Sequence, residues 1–492
     1  MFVLPLFGLS GNFFLIMRSG IIQSMDIKLH NTLSRNKEVF QPIVLGKVGL
    51  YTCGPTVYWF AHIGNLRAYL FADVLRRTLE LNGLEVTQIM NITDVGHLVG
   101  DGDEGEDKLE VGAKREGKTA WEIAEFYTQA FLRDSDALHI LPATKYTKAT
   151  DHIPEQIAMI EALEKNGYTY TTSDGIYFDT SKLTDYGRLG GQKAEEKEAG
   201  ARVEMGEKRN ATDFALWKMS VPKGTHPELV EGSAQKRQME WDSPWGVGFP
   251  GWHIECSAMS IKYLGHTFDI HTGGIDHIPV HHENELAQTE GAYGTLQANY
   301  WLHSEFLTVD GGKMSKSLGN LFTLDDLVKK GFDVMAYRYL VLGAHYRSKL
   351  NFTFESLEAS QNALTRLRAT VREWDAPGEI GCAEYENDFL SAMNDDLNTA
   401  QALALVWKLI DDRELPTKAK ARTLLFFDRV LGLGLNAYIS KALSISSEVK
   451  ALIKARDEAR ANKDWNTSDQ LRDEIVSHGL EVMDTPDGTK VK

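Results

Sequence analysis

The stretch Val44-Leu45-Gly46-Lys47-Val48-Gly49-Leu50-Tyr51-Thr52, followed by Cys53-Gly54-Pro55-Thr56 and then by His62-Ile63-Gly64-Asn65, decides the fold. The first run reads as a buried strand and Cys53 to Thr56 as a breaking loop. From Leu66 to Leu81 the apolar residues Leu66, Leu70, Val74, Leu75 and Leu79 return on one helical face, and Val86 to Ile92 reads as the next strand. This is a βαβ unit, whose first loop is where an α/β sheet places a ligand. His62 opens the helix, where backbone N–H groups and the helix dipole attract phosphate, and Gly64 permits close approach. A four-letter match alone more often marks only a capped helix after a tight turn.

The 492 residues carry a formal net charge of −16 and are 43% hydrophobic, which suits a globular chain of three or four domains. Three scattered cysteines, Cys53, Cys256 and Cys382, form no CxxC pair and no disulfide framework, so a reducing cytoplasm is the expected compartment. The acidic balance argues against loose nucleic-acid binding but leaves room for a shaped RNA held by local basic patches. After residue 24 no run approaches the roughly 20 apolar residues of a membrane span. Residues 1–24 are mostly apolar with Arg18 their only charge; a weak signal peptide is one reading, but with no basic leading region and with Pro5 and Gly8 interrupting the apolar run they read instead as a disordered extension or a mis-assigned start, with Met25 the initiator.

Outward from the βαβ unit, 141–240 is charged and short-stranded and reads as an insertion. Strand signals return at Gly251 to Ile261 and Thr267 to His271, and from Phe354 the pattern is helical. Ser447 to Lys492 reads as two charged helices and a hairpin through Pro486-Asp487-Gly488. The expected division is an extension at 1–24, a sheet domain split into 25–140 and 241–305 by the insertion 141–240, a loop region at 306–352, a helical bundle at 353–437 and a small C-terminal domain at 438–492.

Lys313-Met314-Ser315-Lys316-Ser317 lies between Gly311-Gly312 and Gly319. Two lysines in a flexible loop can close over a triphosphate and neutralise charge moving onto pyrophosphate. With the His62-Ile63-Gly64-Asn65 turn, the chain resembles the class I aminoacyl-tRNA synthetases. Tyr51-Thr52-Cys53-Gly54-Pro55-Thr56-Val57-Tyr58, Asp213-Phe214-Ala215-Leu216-Trp217-Lys218, Ser243-Pro244-Trp245-Gly246 and Gly251-Trp252-His253-Ile254-Glu255-Cys256-Ser257-Ala258-Met259 narrow the resemblance to the cysteinyl-tRNA synthetase family, from about Met25 to the C-terminus. It implies an α/β fold: a Rossmann-like parallel-sheet catalytic domain with a connective insertion that meets the acceptor end of tRNA, then a helical tRNA-binding bundle and a small anticodon-side domain.

His281 and Glu285 are four apart and share a helical face, and Cys53 and Cys256 would complete a four-ligand set. On residues alone, isolated cysteines are ordinarily small core residues and such a His–Glu pair is ordinarily a surface pair. The resemblance implies that these four bind one zinc ion, which selects the thiol of cysteine over the hydroxyl of serine. A site built on a bond the competitor cannot make rejects it by roughly 10⁴ to 10⁵, so no editing domain is needed. The implied reaction is attack of the L-cysteine carboxylate on the α-phosphate of ATP, with Mg²⁺, then transfer to the terminal ribose of cysteine tRNA. His62, Asn65, Lys313 and Lys316 would act on the phosphoryl group, and Gly273, Gly274 and Asp276 would cradle adenosine. Gly54, Thr56, Trp252 and His253 would border the amino acid.

The resemblance extends to Met393-Asn394-Asp395-Asp396-Leu397-Asn398-Thr399 and Phe427-Asp428-Arg429-Val430-Leu431-Gly432. Lys454, Arg456, Arg460, Lys463, Trp465 and Arg472 are candidates for meeting the anticodon, although the interleaved acids equally suit salt-bridged helix faces. Two positions depart from the family pattern: Phe249 stands where arginine is common and Val491 where tryptophan is common. A monomer is expected. Two other readings stay open, a relative that passes cysteine to a small amine and a non-catalytic RNA-binding module.

Overall fold

The computed structural model describes residues 15–16, 21–22, 26–96, 108–191, 207–221, 237–315, 318–442, 445–478, 480, 482–485 and 488–491. The expectation for 1–24 falls outside them, apart from an antiparallel pairing of Leu15–Ile16 with Ile21–Ile22.

A five-stranded, wholly parallel sheet positions the site. Its strands are β1 (Lys47–Thr52), β2 (Glu85–Ile92), β3 (Lys145–Lys148), β4 (Phe268–Gly274) and β5 (Ala298–Ser304), in spatial order β3-β2-β1-β4-β5. Strand order reverses between β1 and β4, so the crevice beyond their carboxyl ends is the ligand position of a doubly wound sheet. Helix α1 (Ile63–Leu81) makes the first crossover, with Leu66, Leu70, Leu75 and Leu79 all buried. Helix α2 (Ala120–Ala137) covers its leading half, Tyr69 meeting Phe131 edge-on at 5.0 Å. The underside of α1, at Phe71, Val74 and Leu75, shares one core with Leu364, Leu367, Phe389, Leu424 and Phe427 of the following helical bundle.

Three features differ from the sequence reading. Lys145–Lys148 pairs with β2 in the parallel sheet, although it lies beyond position 140. The inserted antiparallel sheet (Thr169–Thr171, Gly175–Phe178, Phe214–Met219, Gly248–Pro250) takes its last strand from beyond position 240. Gly251 to Ile261, expected as a strand, is instead most of helix α3 (Trp252–Leu264), with Gly251 as its N-cap. Residues 253–260 are buried on every side, so no 3.6-residue rhythm survives there to separate them from a buried strand. Glu255, Ser257 and Ser260 are polar yet within the core because Thr93, Gln288 and Gln297 satisfy them.

Arg338 joins sheet and bundle. Wholly buried, it donates to Asp73 of α1 at 2.6 Å, to the carbonyl of Leu431 at 2.7 Å and to that of Leu138 at 2.8 Å. Arg338→Met strands those two carbonyls, while Asp73 keeps Arg77 at 2.8 Å. The loss of a buried charge pair softened by that remaining partner is about 3 kcal/mol. Urea unfolding is expected to show a lower midpoint at unchanged slope; an unmoved midpoint contradicts the assignment.

Candidate functional site

Beyond the carboxyl ends of β1 and β4 lies a cavity of about 480 Å³ whose lining includes Cys53, Gly54, Thr56, His62, Asn65, Trp252, Gly273, Gly274, Asp276, His281 and Lys313. Residues from four separated stretches of sequence thus meet in one crevice. His253 does not line it; its Nδ1 lies 2.9 Å from Nδ1 of His281, behind the wall. Lys316 lies outside the described residues.

On the nucleotide side, His62 is the N-cap of α1, and His62 and Asn65 form a reciprocal capping box. Nδ1 of His62 accepts from the Asn65 backbone at 3.2 Å, and Oδ1 of Asn65 accepts from the His62 backbone at 3.2 Å. With Nδ1 engaged as an acceptor, a neutral His62 carries its proton on Nε2. Burial lowers its pKa against the opposing pull of Asp276, favouring that neutral form. The first turn of α1 holds no acidic residue, so its positive end is not neutralised there. The flank of the lysine loop is stitched to this turn, the Ile63 N–H donating to the Phe322 carbonyl at 2.9 Å. A Cβ on Gly64 would come within 2.3 Å of the Met314 methyl, so the missing side chain lets Met314 seat against the turn.

On the other side, Cys53 caps β1, its N–H donating to the Thr272 carbonyl of β4 at 3.0 Å. Helix α4 (His281–Tyr293) brings His281 and Glu285 to face it, with Nε2 of His281 3.1 Å from Glu285 Oε1, and α3 supplies Cys256. The ligand atoms of Cys53, Cys256, His281 and Glu285 all lie within 4.8 Å of one another, every residue buried. Burial raises the Cys53 thiol pKa, and Cys256 and Glu285 raise it further; burial likewise raises that of Cys256. A divalent cation held there would relieve that crowding, and two thiolates, an imidazole and a carboxylate are a donor set that suits zinc. Trp252 stacks on His281 with ring centres 4.3 Å apart and closes one side.

Sequence reasoning missed His271, His282 and His303. Cys53, His271, His282 and Glu285 make a second compact donor set, sharing two members with the first. His282 Nε2 stands 3.2 Å from Cys53 Sγ while its Nδ1 meets His303 at 2.7 Å. The signal was the pair His281-His282 in front of Glu285, of which only the first was taken. At the far end of the chain, Arg456 is no anticodon contact. It is buried and bonded to Asp484 at 2.6 Å and Thr489 at 2.7 Å, because the closing hairpin folds over it. Phe249 carries the Arg237 guanidinium 3.6 Å from its ring centre, so a cation from elsewhere in the chain covers the position.

The family described as "tRNA synthetases class I (C) catalytic domain" matches residues 39–362, a DALR domain matches 388–435, and the cysteinyl-tRNA ligase anticodon binding domain matches 444–491. A cysteine–tRNA ligase of Burkholderia lata is 53% identical over 95% of this chain and 97% of its own length. The chain belongs to the cysteinyl-tRNA synthetase family. A Treponema denticola cysteine–tRNA ligase is 44% identical over 94% of this chain and 98% of its own. As a class I synthetase the molecule is an ATP-dependent aminoacyl-tRNA ligase. Its fold is that of more distant synthetases: methionyl-tRNA synthetase of Mycobacterium tuberculosis with methionyl-adenylate superposes at TM-score 0.51 and 14% identity, covering 79% of this chain and 90% of the other. The Agrobacterium radiobacter LeuRS in its ternary complex with tRNA and LeuAMS superposes at 0.55 and 12%, covering 81% and 85%. Among the described residues no helix is long and apolar enough to cross a membrane.

Proposed function

We propose that this synthetase activates L-cysteine with ATP to cysteinyl-adenylate and transfers the cysteinyl group to the 3′ end of cysteine tRNA, acting as a cytoplasmic monomer. The observation that carries the reading is the buried Cys53–Cys256–His281–Glu285 cluster beside the cavity that also takes in the N-terminus of α1. These four residues would hold one zinc ion, whose chemistry when bound is to favour the thiolate of the substrate over the hydroxyl of serine. Cys53 and the phosphate-attracting turn lie on one loop, so the amino acid and ATP would meet without either crossing the cavity. His62 donates Nε2–H to a phosphoryl oxygen, and Lys313 and Lys316 offset the charge that gathers on pyrophosphate, with Mg²⁺ accompanying the nucleotide. Gly273 and Gly274 let the backbone approach adenosine, and the Asp276 carboxylate accepts from a ribose hydroxyl. No protein nucleophile is needed, since the substrate carboxylate attacks the α-phosphorus and expels pyrophosphate, and the tRNA hydroxyl then attacks the acyl carbon of the adenylate and expels AMP.

Cysteine-dependent ATP–pyrophosphate exchange by the full chain, with zinc quantified, tests the activation step. Exchange without cysteine dependence, or none in zinc-replete protein, overturns it. Lys316→Ala is expected to slow single-turnover adenylate formation by about 10² at unchanged zinc content, the scale of losing one transition-state charge contact. An undiminished rate removes Lys316 from the mechanism. The second donor set is a competing arrangement of the same metal. Two sulfur ligands by X-ray absorption support the first set, and one sulfur supports Cys53–His271–His282–Glu285.

A further inference from the structure

Between β1 and α1 the chain presents Trp59 and Phe60, both in the cavity wall, and α2 presents Phe126 and Tyr127 beside them. The four rings form one cluster: Trp59 lies 5.9 Å from Tyr127 and 6.0 Å from Phe60, and Phe126 lies 6.0 Å from Phe60 and 5.1 Å from Tyr127. Tyr127 is buried, but Trp59 remains 36% and Phe126 40% exposed. Each exposed ring carries a cation, Arg115 at 4.0 Å from the Trp59 ring centre and Lys118 at 4.5 Å from that of Phe126. Glu116 spaces the two, reaching Arg115 at 2.9 Å and Lys118 at 3.5 Å. A single exposed aromatic residue on a surface is ordinary. A cluster that runs out of the reactive cavity and carries a cation on each exposed ring is not, and neither the proposed activation chemistry nor the metal cluster uses it.

We propose that Trp59 and Phe126, with Arg115 and Lys118, form a stacking platform for bases of the single-stranded 3′ end of the tRNA. The proposal rests on the function proposed above. If the terminal ribose reaches the activated cysteine inside this cavity, the nucleotides before it leave through the mouth, where the cluster stands. Their chemistry fits: every base has a flat π-face that stacks, whatever its identity, on a guanidinium plane such as that of Arg115 over Trp59 or on an aromatic face once its flexible lysine swings aside to a phosphate. Such a platform takes the strand without reading its sequence.

The test compares two cysteine tRNA transcripts, one intact and one shortened by its last three nucleotides, in binding to the zinc-loaded full chain. The wild type is expected to favour the intact transcript, and Phe126→Ala and Arg115→Ala each to reduce that preference by about tenfold, the scale of one lost stacked base. Phe126→Trp is expected to keep the preference. Equal weakening toward both transcripts assigns the residues to the fold and overturns the platform, as does a preference that survives both alanine variants. Wild-type cysteine-dependent exchange separates the two levels: its absence sinks the proposed function, and its presence alongside an undiminished preference sinks the platform alone.

Discussion

Cys53→Ser is expected to lose metal and to lower kcat/KM for cysteine by at least about 100-fold, since even groups that only orient metal ligands are worth 10- to 100-fold. The serine hydroxyl is harder and far less acidic than a thiol, and it arrives in a pocket already holding His281, Glu285 and Cys256 within 4.8 Å. The selectivity for cysteine over serine is expected to fall with the metal, because a hydroxyl is rejected only while a thiolate has something the hydroxyl cannot match. Elemental analysis and paired exchange assays with cysteine and serine read both effects. Full metal content with unchanged selectivity removes Cys53 from the ligand set.

Gly54→Ala should be nearly as damaging, for a steric reason. The Gly54 N–H donates to Oδ1 of Asn91 at 2.7 Å, drawing the loop against β2, and a Cβ on Gly54 would lie 1.8 Å from the backbone oxygen of Asn91. That obstacle is backbone near the carboxyl end of a strand paired on both sides, so the loop itself has to move, and it carries Cys53 on one side and Thr56 on the other. A displacement near 1 Å in such a site costs about 10²-fold in rate. Cysteine-dependent exchange is expected to fall by that order while far-ultraviolet circular dichroism stays that of the folded sheet. A variant retaining more than half of the wild-type exchange rate contradicts the close approach.

Much of the architecture was written in local pattern. The run ending in Tyr51-Thr52, the one-sided spacing of Leu66, Leu70, Val74, Leu75 and Leu79, and the loop between them report a βαβ unit because each depends on neighbours in sequence. The lysine loop was legible for the same reason, as a short string between glycines. Gly251 to Ile261 was not. From 253 to 260 the helix is buried on every side and presents no solvent face, so its periodicity disappears even though Gly251 marks its start. Arg456 failed differently: its charge reads as exposed until the hairpin Val482–Thr485 and Gly488–Val491 covers it with Asp484 and Thr489.

By itself the sequence determined which groups were on offer: a histidine and a glycine at the start of one helix, cations in one loop, and soft and hard donor atoms in four scattered places. Only the tertiary structure decided which of those met. Cys53 and Cys256 lie 203 positions apart (256 − 53), and nothing local says that β1 ends where α3 and α4 converge. The reversal of strand order between β1 and β4 brings them together, and the buried surroundings of Cys53 and Glu285 add His271 and His282 as a second candidate donor set. Local spacing fixes faces, whereas sites built across a switch point depend on which strands become neighbours, and that choice rests on the burial of the whole sheet.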